Sequence, residues 1–261
     1  MMNIVVLIKQ VPDTWSERRL TDSDHTLDRG SADAVLDEIN ERAVEEALKI
    51  KAVVESQVTV VTMGPERATD AIRKALSMGA DKAVHLSDEG VHGSCAVQTA
   101  RVLAKVISTL GDVDLVLAGN EATDGTVGAV PAMVAEALGW PDLTHARKVT
   151  VEGRAVTVER ETDDAVTVLR ADLPAVISVN EKINEPRYPS FKGIMAAKKK
   201  PVSTLSLGDV GIEPGAVGLG GATSTVIEAA PRPPRAAGQV VTDEGDGGVK
   251  LAEYLIGQKL I

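Results

Sequence analysis

The densest chemistry in the sequence lies in AGNEATDGTVGAVPAM, residues 118–133. Gly119, Gly125 and Gly128 allow a backbone to come close to a ligand, and the residues after them begin a helical pattern. The first turn of a helix carries free N–H groups and the positive end of the helix dipole, a combination that suits an anion such as a phosphate. The spacing matches neither G-x-G-x-x-G nor G-x-x-x-x-G-K-[ST]. It is as much the pattern of a plain glycine-rich turn as of a nucleotide phosphate site.

Other reactive residue types do not assemble. His25, His85, His92 and His145 include no i, i+4 pair of the kind that holds a metal on a helix. Cys95, the single cysteine, follows Ser94 at an expected helix start with no base beside it, and reads as a packed small side chain. No G-x-S-x-G and no S-x-x-K is present. Glu41, Glu45 and Lys49 stand at i, i+4 spacing and read as a solvated helix face. Asp37 to Asn40, at the front of the same helix, could face a ligand. The run Lys198 to Lys200 reads as solvated charge. It ends NEPRYPSFKGIMAAKKK (184–200), where the only phenylalanine, Phe191, follows Pro186 and Pro189 and precedes Gly193. That segment is expected to be a loop.

The elements that must position these residues alternate. Apolar runs at 3–8, 57–63, 82–86 and 113–119 read as buried strands, and patterns over 39–50, 68–80, 94–111 and 129–139 read as helices, the third capped by Ser94. Strand alternating with helix implies right-handed crossovers and a parallel sheet, an α/β, Rossmann-like fold with flanking helices. The 118–133 loop then falls at the carboxyl end of a strand, where such sheets bind ligands. After Trp140, RKVTVEG, RAVTVERE, AVTVLRA and PAVISV read as added, mostly hairpin-connected antiparallel strands extending or flanking the sheet. The expected division is a nucleotide-binding domain over 1–205 and an extended C-terminal arm over 206–261, Gly- and Pro-rich and poor in apolar surface.

Composition narrows the classes. A net charge of −10 argues against a nucleic-acid partner. With 2% aromatic residues the core must be Val, Ile, Leu and Ala, which suits a parallel sheet under helices. No apolar run reaches the ~18 residues of a membrane span, and one cysteine fits a reducing compartment, so a cytoplasmic protein without membrane insertion is expected.

In order along the chain, VLIKQVPDT (6–14), ERAVEEAL (41–48), MGPERATDAIRKALSMGAD (63–81), VDLVLAGNEATDG (113–125), VTVERETDDAVTVLRADLPAVISV (156–179) and NEPRYPSFKGIMAAKKK (184–200) closely resemble the β subunit of electron transfer flavoprotein. The resemblance implies an electron carrier without bond chemistry of its own. It implies an adenine-nucleotide-binding α/β fold, a heterodimer with an α subunit that holds most of one FAD, and a structural AMP in β. Electrons would come from acyl-CoA and related dehydrogenases and leave to a membrane electron transfer flavoprotein–quinone oxidoreductase. Carried over by position, AMP contacts would come from Leu7, Asp37, Glu38, Ile39, Asn40, Met63, Gly119, Asp124, Gly125, Thr126, Val127, Gly128, Ala129 and Val130, with Asp124 serving loop geometry or ligand hydrogen bonding. Asp37-Glu38 stands where many members carry Asn-Pro, and a carboxylate cannot donate as an amide can. Thr14 and Trp15 lie where some members place an aromatic residue near the flavin, and Val130 stands for a hydroxyl residue. The family's dehydrogenase-docking loop corresponds to 184–200, with Tyr188, Phe191, Ile194 and Met195 as contacts; the alternative is a Phe191 folded into its own core. The arm is expected to wrap the α subunit. Two other readings stay open: an electron-bifurcating relative with a second FAD in place of AMP, and a stand-alone nucleotide-binding protein of related fold.

Overall fold

A computed structural model describes residues 1–235, 238 and 240–261. The chain opens with β1 (Met2–Leu7), and β2 (Gln10–Pro12) pairs antiparallel with β3 (Ala34–Leu36) around a long excursion over 13–33. There follow α1 (Glu38–Val53), β4 (Ser56–Met63), α2 (Thr69–Met78), β5 (Lys82–Leu86), α3 (Ala96–Thr109), β6 (Leu115–Gly119) and α4 (Val130–Leu138). Then come β7 (Asp142–Glu152), β8 (Ala155–Glu161), β9 (Val166–Asp172), β10 (Ala175–Val179), α5 (Phe191–Ala197) and β11 (Val202–Leu205). One nine-stranded sheet has the order β11-β5-β4-β1-β6-β10-β7-β8-β9. Every pair from β11 to β7 is parallel, and β7-β8-β9 is antiparallel.

The alternation of side chains along a strand sorts the core into two layers. Ile4 and Val6 of β1 face α1 and α2, meeting Ala43, Ala47, Ile72 and Leu76. Val5 and Leu7 face α3 and α4, meeting Val102, Val106, Val134 and Ala135. With both faces covered, the inner strands read as continuous apolar runs. The same reasoning places β10: its five residues are all buried, and it lies inside the sheet, parallel to β6 and β7. The run PAVISV is therefore not a further hairpin strand, although the three strands before it form antiparallel hairpins at the edge.

Five local expectations are corrected. Residues 191–197 are helical, not loop: Ser190 caps α5 through Gly193 N at 3.1 Å. The α3 cap is Cys95, whose N–H is held by Gln98 Oε1 at 2.8 Å, while Ser94 Oγ accepts from Gly218 N. Glu45 is buried, not solvated, and Glu41 pairs with Lys74. Lys200 is half-buried, its Nζ donating to Leu76 O at 2.9 Å and Ala80 O at 2.5 Å, so it closes the carboxyl end of α2. Residues 206–226, placed by sequence in the arm, pack with the first 205: Met1–Val226 forms one compact unit, and Leu207, Val210 and Val217 are buried in it. Ile227–Ile261 forms a second unit, with α6 (Gly247–Gly257) as its helix. No described helix is long and apolar enough to cross a membrane.

Candidate functional site

A cleft of about 630 Å³ opens at the carboxyl ends of β1, β4, β5 and β6. From β1 the chain first builds outward through β4 and β5, then returns to place β6 on the other side of β1. The cleft thus sits at the topological switch point of the sheet. Of the residues expected to bind a nucleotide, Leu7, Asn40, Met63, Gly119, Gly125, Thr126, Val127, Gly128 and Val130 line it. Asp37, Glu38, Ile39, Asp124 and Ala129 do not line it.

Asp37 and Asp124 work behind the cleft wall. Asp37 is fully buried, and both carboxylate oxygens are committed. Oδ1 caps α1 by accepting from Ile39 N (3.0 Å) and Asn40 N (3.2 Å). Oδ2 accepts from Thr123 N (2.7 Å) and Thr123 Oγ1 (2.9 Å). The Asp124 side chain is also buried and is gripped from the other side by Lys9 Nζ at 2.7 Å and Arg29 Nη2 at 2.7 Å. Burial alone would push the Asp124 carboxyl up, but the charges and hydrogen bonds of Lys9 and Arg29 outweigh it and hold it below its ordinary value. Two carboxylates therefore fix residues 123 and 124 between α1, the end of β1 and the 13–33 excursion.

That clamp shapes the cleft wall between β6 and α4. Gly119 lies so close to the front of α1 that a Cβ there would sit 2.6 Å from Asn40 Nδ2. Thr126 (φ 47) and Gly128 (φ 66) adopt left-handed backbone, a conformation disfavoured for threonine and stored where structure over-determines it. No side chain caps the start of α4, so its first N–H groups remain to be satisfied at the cleft. Asn120, also in the wall, has a buried Oδ1 without a protein partner. Lys9, Arg29, Arg67 and Asn120 were not singled out by sequence. Lys9 lies two residues past the end of β1, a position that could have pointed to it; nothing local marks Arg29, which reaches Asp124 across 95 positions of sequence.

Away from the cleft, Tyr188 (97% exposed) and Phe191 (80%) project into solvent, with Ile194 and Met195 half exposed beside them. Phe191 is not folded into the core.

A sequence profile of the electron transfer flavoprotein domain matches residues 24–210. The electron transfer flavoprotein subunit beta of Mycobacterium tuberculosis is 64% identical over 266 aligned positions, covering all of both chains. The chain belongs to the electron transfer flavoprotein β-subunit family. The subunit beta of Thermoanaerobacterium thermosaccharolyticum is 36% identical over 99% of this chain and 98% of that one. The caffeyl-CoA reductase-Etf complex subunit CarD of Acetobacterium woodii is 34% identical over 92% of each.

Within this electron transfer flavoprotein β-family chain, His85 and His92 serve structure, while Cys95, expected from sequence to be packed, is exposed. His85 is buried, with Nε2 3.0 Å from Gly64 O. His92 Nε2 lies 2.8 Å from Asp24 Oδ2, tying the 13–33 excursion to the loop after β5. Asp24 is held far below the ordinary aspartate value, chiefly by the Thr21 hydroxyl and then by His92. Among the described residues, no group of three or more His, Cys, Asp and Glu side chains is arranged to hold a metal ion.

Proposed function

We propose that this chain is the β subunit of a heterodimeric electron transfer flavoprotein, acting in the cytoplasm. Its α partner carries most of the single FAD, which supplies the electron-carrying chemistry. Electrons arrive from acyl-CoA or related dehydrogenases and leave to a membrane quinone oxidoreductase. The β chain holds AMP in its cleft and docks the dehydrogenase through Tyr188, Phe191, Ile194 and Met195. Its arm beyond 226 meets the α subunit, supported by the exposed apolar residues Val249, Leu251, Tyr254 and Ile256 of α6.

One observation carries the nucleotide: the uncapped first turn of α4 and the unpartnered Asn120 Oδ1 share a single cleft. The N–H groups from Val127 to Val130 suit a phosphate. Asn120 suits a donor such as an exocyclic amine or a ribose hydroxyl. Of the assigned residues outside the cleft lining, Asp37, Glu38, Ile39 and Asp124 then act by shaping it rather than by contact.

A second reading, a second FAD in the same cleft, is favoured by the extent of the cleft. It runs past the α4 start to Thr21, Thr26 and the stretch Val91 to Gly93. Denaturing the purified heterodimer and identifying the released nucleotides separates the readings. One FAD with one AMP is the expected result; two FAD and no AMP would replace the first reading by the second. A chain that purifies alone, without flavin, and hydrolyses ATP would overturn both in favour of a stand-alone nucleotide-binding protein.

A further inference from the structure

The docking residues sit on a segment tied down at both ends. At its near end, Arg187 places its fork on the Glu45 carboxylate of α1, Nε to Oε2 at 2.7 Å and Nη2 to Oε1 at 2.9 Å. The Arg187 backbone N–H adds a third bond to Oε2 at 3.1 Å. Three residues earlier, Asn184 Nδ2 donates to Arg42 O and to Glu46 Oε2, both at 3.0 Å. Pro186 and Pro189 flank Arg187 closely and restrict the backbone on either side. At the far end α5 lies hard against α2: a Cβ on Gly193 would sit 2.5 Å from Ser77 O. Arg73 Nη1 donates to Ala197 O at 2.8 Å, and Lys200 donates to Leu76 O in the last turn of α2 and to Ala80 O just past its end. Between these anchors Tyr188 and Phe191 have almost no protein cover.

We infer that Glu45 and Arg187 are positioning residues for docking: their pairing holds the 184–190 approach against α1 so that Tyr188 and Phe191 meet the dehydrogenase already in place. The inference rests on the docking role proposed above. The physical reason is preorganisation. A free segment carrying one aromatic anchor must be ordered on every encounter, and that entropy is subtracted from the affinity of the contact. An electron carrier must bind, react and leave, so its anchor gains by being presented rather than recruited. The chemistry of the pair agrees with this role. Glu45 is 5% exposed, and a carboxylate withdrawn this far from water is a poor source of net stability in itself, whereas a bidentate guanidinium fork fixes direction. Burial pushes the Glu45 carboxyl up, yet the Arg187 hydrogen bonds and charge bring it below its ordinary value, so the pair is ionised at neutral pH.

The test uses the purified heterodimer with an acyl-CoA dehydrogenase as electron donor, reading KM for the flavoprotein and kcat separately. Phe191→Ala is the control for the docking role and raises KM. Glu45→Gln is expected to raise KM on the order of tenfold while kcat at saturation, flavin content and nucleotide content hold. Arg187→Lys, which keeps the charge but loses the fork, is expected to give a smaller rise. Amide hydrogen exchange over 184–197 rises in step with KM. A higher KM after Phe191→Ala with an unchanged KM after Glu45→Gln overturns the positioning inference alone. An unchanged KM after Phe191→Ala overturns the docking role and this inference with it. Should Glu45→Gln fail to assemble, the double change Glu45→Leu with Arg187→Leu leaves no buried charge unpaired and carries the same measurement. A lowered melting temperature with KM unchanged would reduce the pair to a structural one.

Discussion

Asp37 shows how one side chain can shape a cleft without lining it. Its Oδ1 satisfies the first turn of α1 and its Oδ2 holds Thr123, so a helix cap and a cleft wall share one carboxylate. Asp37→Asn separates the two duties. An amide oxygen can still cap α1, but the Nδ2 that replaces Oδ2 meets the Thr123 N–H donor to donor. The expected outcome is a heterodimer destabilised by about 1–3 kcal/mol that loses its bound nucleotide on gel filtration, read by absorbance after denaturation. Asp124→Asn acts on the same loop from the other side, leaving Lys9 and Arg29 without their buried counter-charge. That change should lower stability by about 1–3 kcal/mol, because both cations are part-exposed and regain water. Chemical unfolding of the two variants measures both losses. Resemblance assigns Asp37 to ligand contact and Asp124 to loop geometry or ligand hydrogen bonding; the hydrogen bonds of both side chains go to the wall. A residue's place in a motif does not tell whether its oxygens face the cleft or the wall behind it.

At the scale of elements, α1 is the member with most duties. Its cap holds Thr123 of the cleft wall, its buried face carries Ala43, Val44 and Ala47 to the sheet, and Arg42, Glu45 and Glu46 hold the segment from Asn184 to Arg187. The helix itself was legible from its apolar period, whereas the duty of Glu45 was not. An i, i+4 charge pattern predicts a solvated face, and only the arrival of Arg187 from 142 positions away reverses it. The short α5 was hidden for a related reason. Pro189 and Gly193 disfavour a helix locally, and it forms because Ser190 caps it and because glycine permits the close approach to Ser77 O. Gly193→Ala therefore tests the packing directly. Although alanine is the better helix former, its Cβ would meet the α2 backbone, so the variant is expected to unfold at a lower temperature than the parent by differential scanning fluorimetry.

For the whole molecule, acid stability is set by carboxylates pulling in opposite directions. Asp124 and Glu45 titrate below their ordinary values, and Glu46 above its own because of burial. A carboxylate with a lowered folded value contributes stability above its unfolded value, 3.8 for Asp124, and loses it as pH falls through the folded one. Glu46 contributes in reverse: its share is present below 4.5 and is lost as pH rises through its raised value. Urea unfolding across pH should show a flatter acid limb in Asp124→Asn and a flatter decline above pH 4.5 in Glu46→Gln. In the core, Ile177 of β10 is wholly buried between the halves of the sheet, and Ile177→Ala should cost about 2–5 kcal/mol in the same assay. By itself the sequence determined the α/β class, the four parallel strands β1, β4, β5 and β6, their helices and the glycine loop, because periodicity and turn chemistry are local. It did not determine that β10 returns to the middle of the sheet, that 206–226 packs with the body, or that the aspartates serve the wall while Lys9, Arg29 and Asn120 face the cleft. Those outcomes rest on contacts between residues tens of positions apart, whose partners are chosen only when the chain closes on itself.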